Sequence, residues 1–303
     1  MRTLVTGGTG FIGRHLLRQL NQPVVLSRNA SAAQSSLAPL DAEAFDWSPE
    51  SAPPPAQAFE RVDRVVHLAG ESIVGRWTSA KRKRLRKSRI QGTQHLVETL
   101  VSLPHPPSVL VSASAVGYYG SQGDKILDEG ADSGDDFLAE LCRDWETAAE
   151  VAREAGIRVV IPRIGLVLGR DGGALAKMLG PFRFGVGGVL GNGQQWMPWI
   201  HIQDLVNLIL YLLDHDTLSG PVNATAPTPV TNQEFTKALG ERLGRPTILP
   251  APAFMLRLVL GPFSTALLSS QRVVPSVASE AGFEFRYPKI QNAIEDLIDT
   301  KAS

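Results

Sequence analysis

Three glycines near the start of the chain carry the first chemistry. The string Gly7-Gly8-Thr9-Gly10-Phe11-Ile12-Gly13 follows the apolar run Thr3–Thr6 and opens a segment of helical period. Each glycine has its own task at this spacing. Gly7 permits a tight strand-to-helix turn, Gly10 lets backbone approach a pyrophosphate, and Gly13 lets the helix lie close to the sheet. The helix start, with Phe11 and Ile12 in its first turn, offers unpaired N–H groups and partial positive charge to phosphate oxygens.

A second candidate lies about twenty residues on, the spacing at which such a fold holds a ribose. The run Val24–Leu26 ends in Ser27-Arg28, with no Asp or Glu to grip a ribose 2′-hydroxyl. A hydroxyl beside a guanidinium suits a 2′-phosphate, because Arg is a bidentate phosphate ligand. The expected cofactor is NADP(H) rather than NAD(H).

Other reactive residue types are scattered. Six His show no His-x-x-x-His spacing, and one Cys excludes an internal disulfide and any multi-cysteine metal centre, so no metal is expected. Cys142 has no His neighbour and reads as a small buried apolar side chain. His67 reads as a packed strand residue, and His201, ahead of Asp204, as a helix start. Lys81–Arg89 packs seven cations into nine residues, yet a helix spreads them around its circumference as a solvated face. With 30 Lys+Arg against 30 Asp+Glu, the chain has no broad electrostatic grip on nucleic acid or an anionic membrane. No apolar run approaches the ~20 residues of a bilayer span, and no signal peptide is evident, so a reducing cytoplasm is the expected location.

Positioning such groups requires alternating strands and helices. The expected strands are Thr3–Thr6, Val24–Leu26, Ala44–Asp46, Arg64–Leu68, Ser108–Val111 and Arg158–Ile161. Several are near-continuous Val/Leu/Ile, as buried parallel strands require. The expected helices are Phe11–Leu20, Ala80–Leu100, Phe137–Ala155, Ile202–Leu213 and Asn232–Leu243. Asp124–Asp136 reads as a polar surface loop, and Gly180–Gly193 as too glycine-rich for a regular element. Beyond residue 251 come an apolar helix and a short strand at Gly282–Tyr287. The fold class is α/β, a Rossmann-type doubly wound parallel sheet with a smaller C-terminal substrate-side domain. Gly185–Gly193 with Gln195, Trp196 and Trp199 reads as a substrate-facing lid that closes over bound cofactor, with a rigid, self-packed loop as the alternative.

The glycine turn, His67-Leu68-Ala69, Ser112-Ala113-Ser114, Arg163 and Trp199–Asp204 together resemble an extended short-chain dehydrogenase/reductase. This is the NAD(P)-dependent epimerase/dehydratase superfamily. His67–Glu71, Trp145-Glu146, Val167-Leu168-Gly169 and Glu280–Phe283 narrow the resemblance to its poorly characterised "epimerase family protein" subgroup, which carries a C-terminal domain of unknown function. The resemblance spans essentially the whole chain. It implies an NADP-binding domain over 1–165, with 200–225 returning to it, and a smaller domain over 166–303. It also implies cofactor contacts at Ser27, Arg28, Asp46, Trp47, Leu68, Ala69, Gly70, Arg89 and Val167. A homodimer through the long helices is a further implication, and the substrate is a small molecule of unknown identity.

Active members of the superfamily use a Ser, a Tyr and a Lys, the last two four apart on one helix. Ser114 matches the serine. The tyrosine and lysine positions hold Leu138 and Cys142, and shifting by one gives Phe137 and Leu141, so the pair is absent. Tyr118 and Tyr119 lie just past Ser114; either Ser114 and Tyr118 polarise a carbonyl while NADPH supplies hydride, or Tyr118 is a packed aromatic with its hydroxyl satisfied. Glu71 is either an acid/base at the pocket floor or a turn cap. A non-catalytic NADP(H)-binding or sensing protein is the alternative. Titration of the pure protein should show tighter binding of NADPH than of NADH; the reverse order overturns the assignment of Ser27-Arg28.

Overall fold

Near-continuous Val/Leu runs need apolar cover on both sides, and they find it at the centre of one parallel sheet. The computed structural model describes residues 1–299. Its main strands are β1 (Thr3–Thr6), β2 (Val24–Ser27), β3 (Glu43–Asp46), β4 (Arg64–His67), β5 (Val109–Ser112), β6 (Arg158–Ile164) and β7 (Gly220–Ala224). They lie in the order β3-β2-β1-β4-β5-β6-β7, every neighbouring pair parallel. Strand order reverses between β1 and β4, where an open α/β sheet leaves a crevice at its C-terminal edge.

Side chains alternate across the sheet as the two-residue period demands. Val5, Val25, Val66, Val111 and Val160 face α1 (Phe11–Leu17) and α7 (Ile202–Asp214). Leu4, Val24, Val65, Leu110 and Val159 face α4 (Gly92–Ser102) and α5 (Phe137–Glu150). Between them in the chain run α2 (Ala30–Ser36), α3 (Ser79–Arg86) and α6 (Gly173–Arg183). A separate apolar cluster is built from α6, α8 (Asn232–Leu243) and α12 (Ile290–Asp299) around Trp199 and Phe235. The remaining helices are α9 (Ala253–Leu260), α10 (Ser264–Leu268) and α11 (Ser276–Glu280).

Four expectations need correction. The helical stretch 80–100 is not one α-helix, because a π-helical turn at Lys87–Gln91 separates α3 from α4. Gly180–Gly193 is not wholly irregular: α6 runs on to Arg183 through Pro181, held by buried Leu175, Leu179 and Phe182 at helical spacing. The acidic segment 124–136 is not simply surface, since Ile126–Leu127 pairs with Arg272–Val273 and Glu129 is buried. No strand forms over 282–287. The backbone N–H groups of Arg286 and Tyr287 instead donate to the buried Asp204 carboxylate, each at 2.9 Å.

Asp204 sits in the first turn of α7 and ties the C-terminal segment to the sheet's cover. Removing it strands two N–H groups away from water, at about 1–3 kcal/mol each. Asp204→Ala should therefore lower the unfolding free energy by about 2–4 kcal/mol in urea denaturation; an unchanged midpoint would show that the tie carries no load.

Candidate functional site

The glycine turn is a close backbone packing site. Gly7 has φ +71°, and a Cβ there would lie 2.9 Å from the Leu68 carbonyl, so the turn rests on the end of β4. A Cβ on Gly13 would come 2.3 Å from the Gly7 carbonyl oxygen. Gly10 caps α1 with no side chain over the open N–H groups. Phe11 is gripped from outside its own helix. A Cβ on Gly169, Gly172 or Gly173 would come within 2.9 Å of its ring, and His15 pairs with Asp171 at 3.0 Å. Ile12 and Val167 pack against the same side of the sheet.

Along the edge from β1 to β3 the expected contacts are differently disposed. Ser27 is half-buried, while Arg28 is exposed and makes no hydrogen bond or ion pair with the described residues. Asp46 accepts the Ala30 N–H at 2.7 Å at the start of α2. Trp47 is buried, its indole N–H donating to the Ala52 carbonyl at 2.9 Å, so its ring belongs to the core. The N–H groups of Leu68 and Ala69 donate to Thr6 Oγ1 at 3.2 and 3.1 Å. Gly70 faces the Arg89 guanidinium, which donates to the Glu71 carbonyl at 2.9 Å and lies over the Trp145 ring. The π-helical turn thus brings Arg89 beside Gly70 and Glu71, just beyond the end of β4.

Glu71 is no proton donor near neutral pH. Its hydrogen bond from Lys81, at 2.6 Å, holds the carboxyl below the usual range despite some burial, and Arg84 adds to this. The basic helix is accordingly half spent within the molecule, because Arg86 also pairs with Glu140 and Asp144.

Ser114, paired beside β6, is 2 % exposed and donates to Glu146 Oε1 at 2.6 Å. Glu146 is in turn held by Arg163 through Nε at 3.0 Å and Nη2 at 2.9 Å. The serine proton is therefore committed to a carboxylate. Cys142 is buried among these groups, and burial, with Glu146 nearby, pushes its thiol up to about 12. It stays neutral.

The two neighbouring tyrosines divide the work. Tyr119 is fully buried, accepts from Arg163 at 3.0 Å and donates to Asn223 Oδ1 at 2.7 Å; burial pushes its phenol up to about 12. Tyr118 is half-buried under the Arg163 guanidinium, 3.5 Å from its ring centroid, and its hydroxyl has no partner among the described residues. Gln271 holds this segment by donating to the Val116 and Gly120 carbonyls, each at 2.9 Å. Sequence reading missed Gln271, Asn223 and Glu129. A polar residue inside an apolar strand, as Asn223 is in Gly220–Ala224, was the one available signal.

The lid reading of Gly185–Gly193 meets a pinned loop. Ala251 donates to the Val189 carbonyl and Gly191 to the Ala251 carbonyl, while Asn232 accepts the Leu190 N–H. Gln195 and Trp199 are buried, and Trp196 donates to Asp124 at 2.8 Å. Among the described residues no cluster suits a metal ion, and no helix is long and apolar enough to cross a membrane.

Comparison with known proteins places this architecture. The model of the NAD dependent epimerase/dehydratase family matches residues 3–224, and a domain of unknown function (DUF1731) matches 251–297. The chain is 42% identical to the Arabidopsis thaliana epimerase family protein SDR39U1 homolog, chloroplastic, covering 98% of this chain and 87% of that one. It is 37% identical to epimerase family protein YfhF of Bacillus subtilis, covering 98% of each. The crystal structure of human epimerase family protein SDR39U1 with NADPH superposes with a TM-score of 0.89 at 33% identity, covering 99% of this chain and 100% of that one. The chain belongs to the NAD dependent epimerase/dehydratase family.

His67, at the end of β4, gives this edge a pH dependence. Its ring lies buried between the Thr6 and Thr93 hydroxyls, and burial, with Arg89 nearby, lowers its pKa to about 4. Below its ordinary pKa of 6.5 the unfolded chain takes up a proton that the folded chain refuses. Its contribution is thus present above pH 6.5 and lost as pH falls towards 4, by about 3 kcal/mol. Denaturant titrations should show that loss, and His67→Gln should flatten it.

Proposed function

We propose that the protein binds NADP(H) along the C-terminal edge of the sheet and acts as an oxidoreductase or isomerase on a small carbonyl-bearing or sugar-like substrate. The carrying observation is the start of α1, where Gly10 caps the helix with no side-chain bond to its N–H groups, and Gly7 and Gly13 let that turn pack close on the end of β4 and on itself. The human relative crystallised with NADPH supports the choice of dinucleotide. In this reading the N–H groups at the start of α1, on Phe11, Ile12 and Gly13, hold the pyrophosphate, while Gly7 and Gly10, whose own N–H donates to the Gly7 carbonyl at 2.9 Å, shape the turn that lets it approach. Ser27 and the unpaired Arg28 take the 2′-phosphate, and Asp46 and Trp47 border the adenine. Leu68, Ala69, Gly70 and Val167 line the way to Arg89. The bound dinucleotide supplies hydride chemistry at its nicotinamide.

The chain's own acid is Tyr118. Its hydroxyl is unspent, and Arg163 fixes the ring from its face. Ser114 contributes an oxygen rather than a proton, because its hydrogen is given to Glu146. A carbonyl therefore takes its hydrogen bond from Tyr118, and proton transfer by one positioned group is worth about 10²–10⁴-fold in rate. The missing Tyr-x-x-x-Lys pair favours a second reading, a non-catalytic NADP(H) sensor.

A screen of carbonyls and nucleotide sugars, followed by NADPH absorbance, separates the two. Turnover should fall by about 10²-fold or more in Tyr118→Phe with NADPH affinity unchanged. Unchanged turnover removes Tyr118 from the chemistry, and tight NADPH binding without turnover on any compound selects the sensor.

A further inference from the structure

The basic helix carries more charge than the molecule itself uses. Glu71 takes Lys81 and Arg84, and Glu140 with Asp144 takes Arg86. Arg82, Lys83 and Lys87 are exposed and make no ion pair or side-chain hydrogen bond among the described residues. Like charges four apart repel along a helix face, and Lys83 stands four before Lys87 as Arg82 does before Arg86. The fold keeps a repulsion that its own carboxylates leave in place.

These cations share one groove. It has a volume of about 610 Å³ and is lined by Arg82, Lys83, Arg86 and Lys87 from one side and by Phe137 and Glu140 of α5 from the other. Phe137 holds both arginines, with Arg82 4.9 Å and Arg86 5.5 Å from its ring centroid. The ring is itself packed on buried Trp77 at 5.5 Å, so the platform is anchored. A guanidinium stacked by its face keeps its N–H edge for a planar anion, and Arg82 has spent none of that edge.

The walls select among anions. A small ligand needs an enclosing apolar pocket, and Phe137 is the one apolar residue lining this groove. A nucleic-acid backbone carries charge at every step and would run onto Glu140. A peptide can space its charges. Residues 82 and 87 are about 7.5 Å apart along a helix, and side chains two apart on an extended segment stand about 6.8 Å apart on one face.

We propose that this groove docks an extended acidic segment of a partner protein, its carboxylates two residues apart meeting Arg82, Lys83 and Lys87. Arg82 takes one carboxylate through its N–H edge, and the two lysines hold the next as point charges. None of the three cations belongs to the dinucleotide site, so docking is separable from NADPH binding.

Fluorescence anisotropy on the full chain tests it, with labelled hexaglutamate as the probe. Binding should weaken as salt rises from about 0.05 to about 0.5 M, because the Debye length falls below the span of the three cations. The triple variant Arg82→Gln, Lys83→Gln, Lys87→Gln changes exposed, unpaired side chains, so the fold has little to lose. It should weaken hexaglutamate by about tenfold or more, roughly twofold or more for each exposed pair, and leave NADPH binding unchanged. A second triple variant, Lys125→Gln, Lys177→Gln, Lys289→Gln, removes the same charge from exposed positions elsewhere and should bind as the parent does. Equal losses in the two triple variants overturn the proposal, as does a parent that does not bind hexaglutamate at low salt. So does single-stranded oligothymidylate or a phosphatidylserine vesicle bound more tightly than hexaglutamate through the same cations, since the groove then serves a phosphate chain or a membrane. Sedimentation showing a dimer that the first triple variant abolishes assigns the groove to a second copy and likewise overturns it.

Discussion

The buried ion pair between Arg163 and Glu146 is the contact on which the site's arrangement depends. Side-chain exposures are 4 and 11 %, so neither charge has much water to fall back on. Removing one partner from such a pair commonly costs about 3–5 kcal/mol, because the survivor is left charged and uncovered. The pair joins α5 to β6. It also fixes three further groups: the Ser114 hydroxyl through Glu146, and both tyrosines through Arg163. One guanidinium thereby bonds the Tyr119 hydroxyl and stacks on the Tyr118 ring.

Features written in local spacing were legible from the chain. The glycine turn shows in the spacing of seven consecutive residues, although the clearance at Gly7 is set by Leu68, and the strand runs carry their burial in their own composition. What failed to read locally was settled by distant partners. Pro181 and Gly180 are poor helix residues, but Leu175, Leu179 and Phe182 have a core to enter, and burial outweighs propensity. Residues 282–287 have a strand's alternation, yet Asp204, about eighty residues earlier in chain order, claims the N–H groups a ladder would need. Glu129 looked like one more loop acid. The N–H groups of Asn223 and Val277 bring it inside, where burial raises its carboxyl above the usual range.

The site was legible in outline rather than in detail. Arg89 reaches the sheet edge because of a π-helical turn that no residue pattern announces. The sequence showed that Cys142 stands in the lysine's place, but not that Ser114 would give its proton to Glu146. That hydrogen bond directs the serine's proton to Glu146, and it is a matter of one distance rather than one residue type. The neutral net charge likewise concealed a division: cations on 81–86 are answered by Glu71, Glu140 and Asp144, whereas Arg28 is not.

The grip of Gly169, Gly172 and Gly173 on the Phe11 ring has a bearing on how this chain can be recombined. Phe11 belongs to the first turn after β1, and the three glycines lie more than 150 residues later, just beyond a segment paired with Trp199–His201. They form a lock whose key sits near the start of the chain. A chimaera that exchanges residues 1–165 between relatives separates the two. Modules drawn by fold boundaries are therefore not the units that interchange: the aromatic ring and its glycine socket must travel as one inheritance.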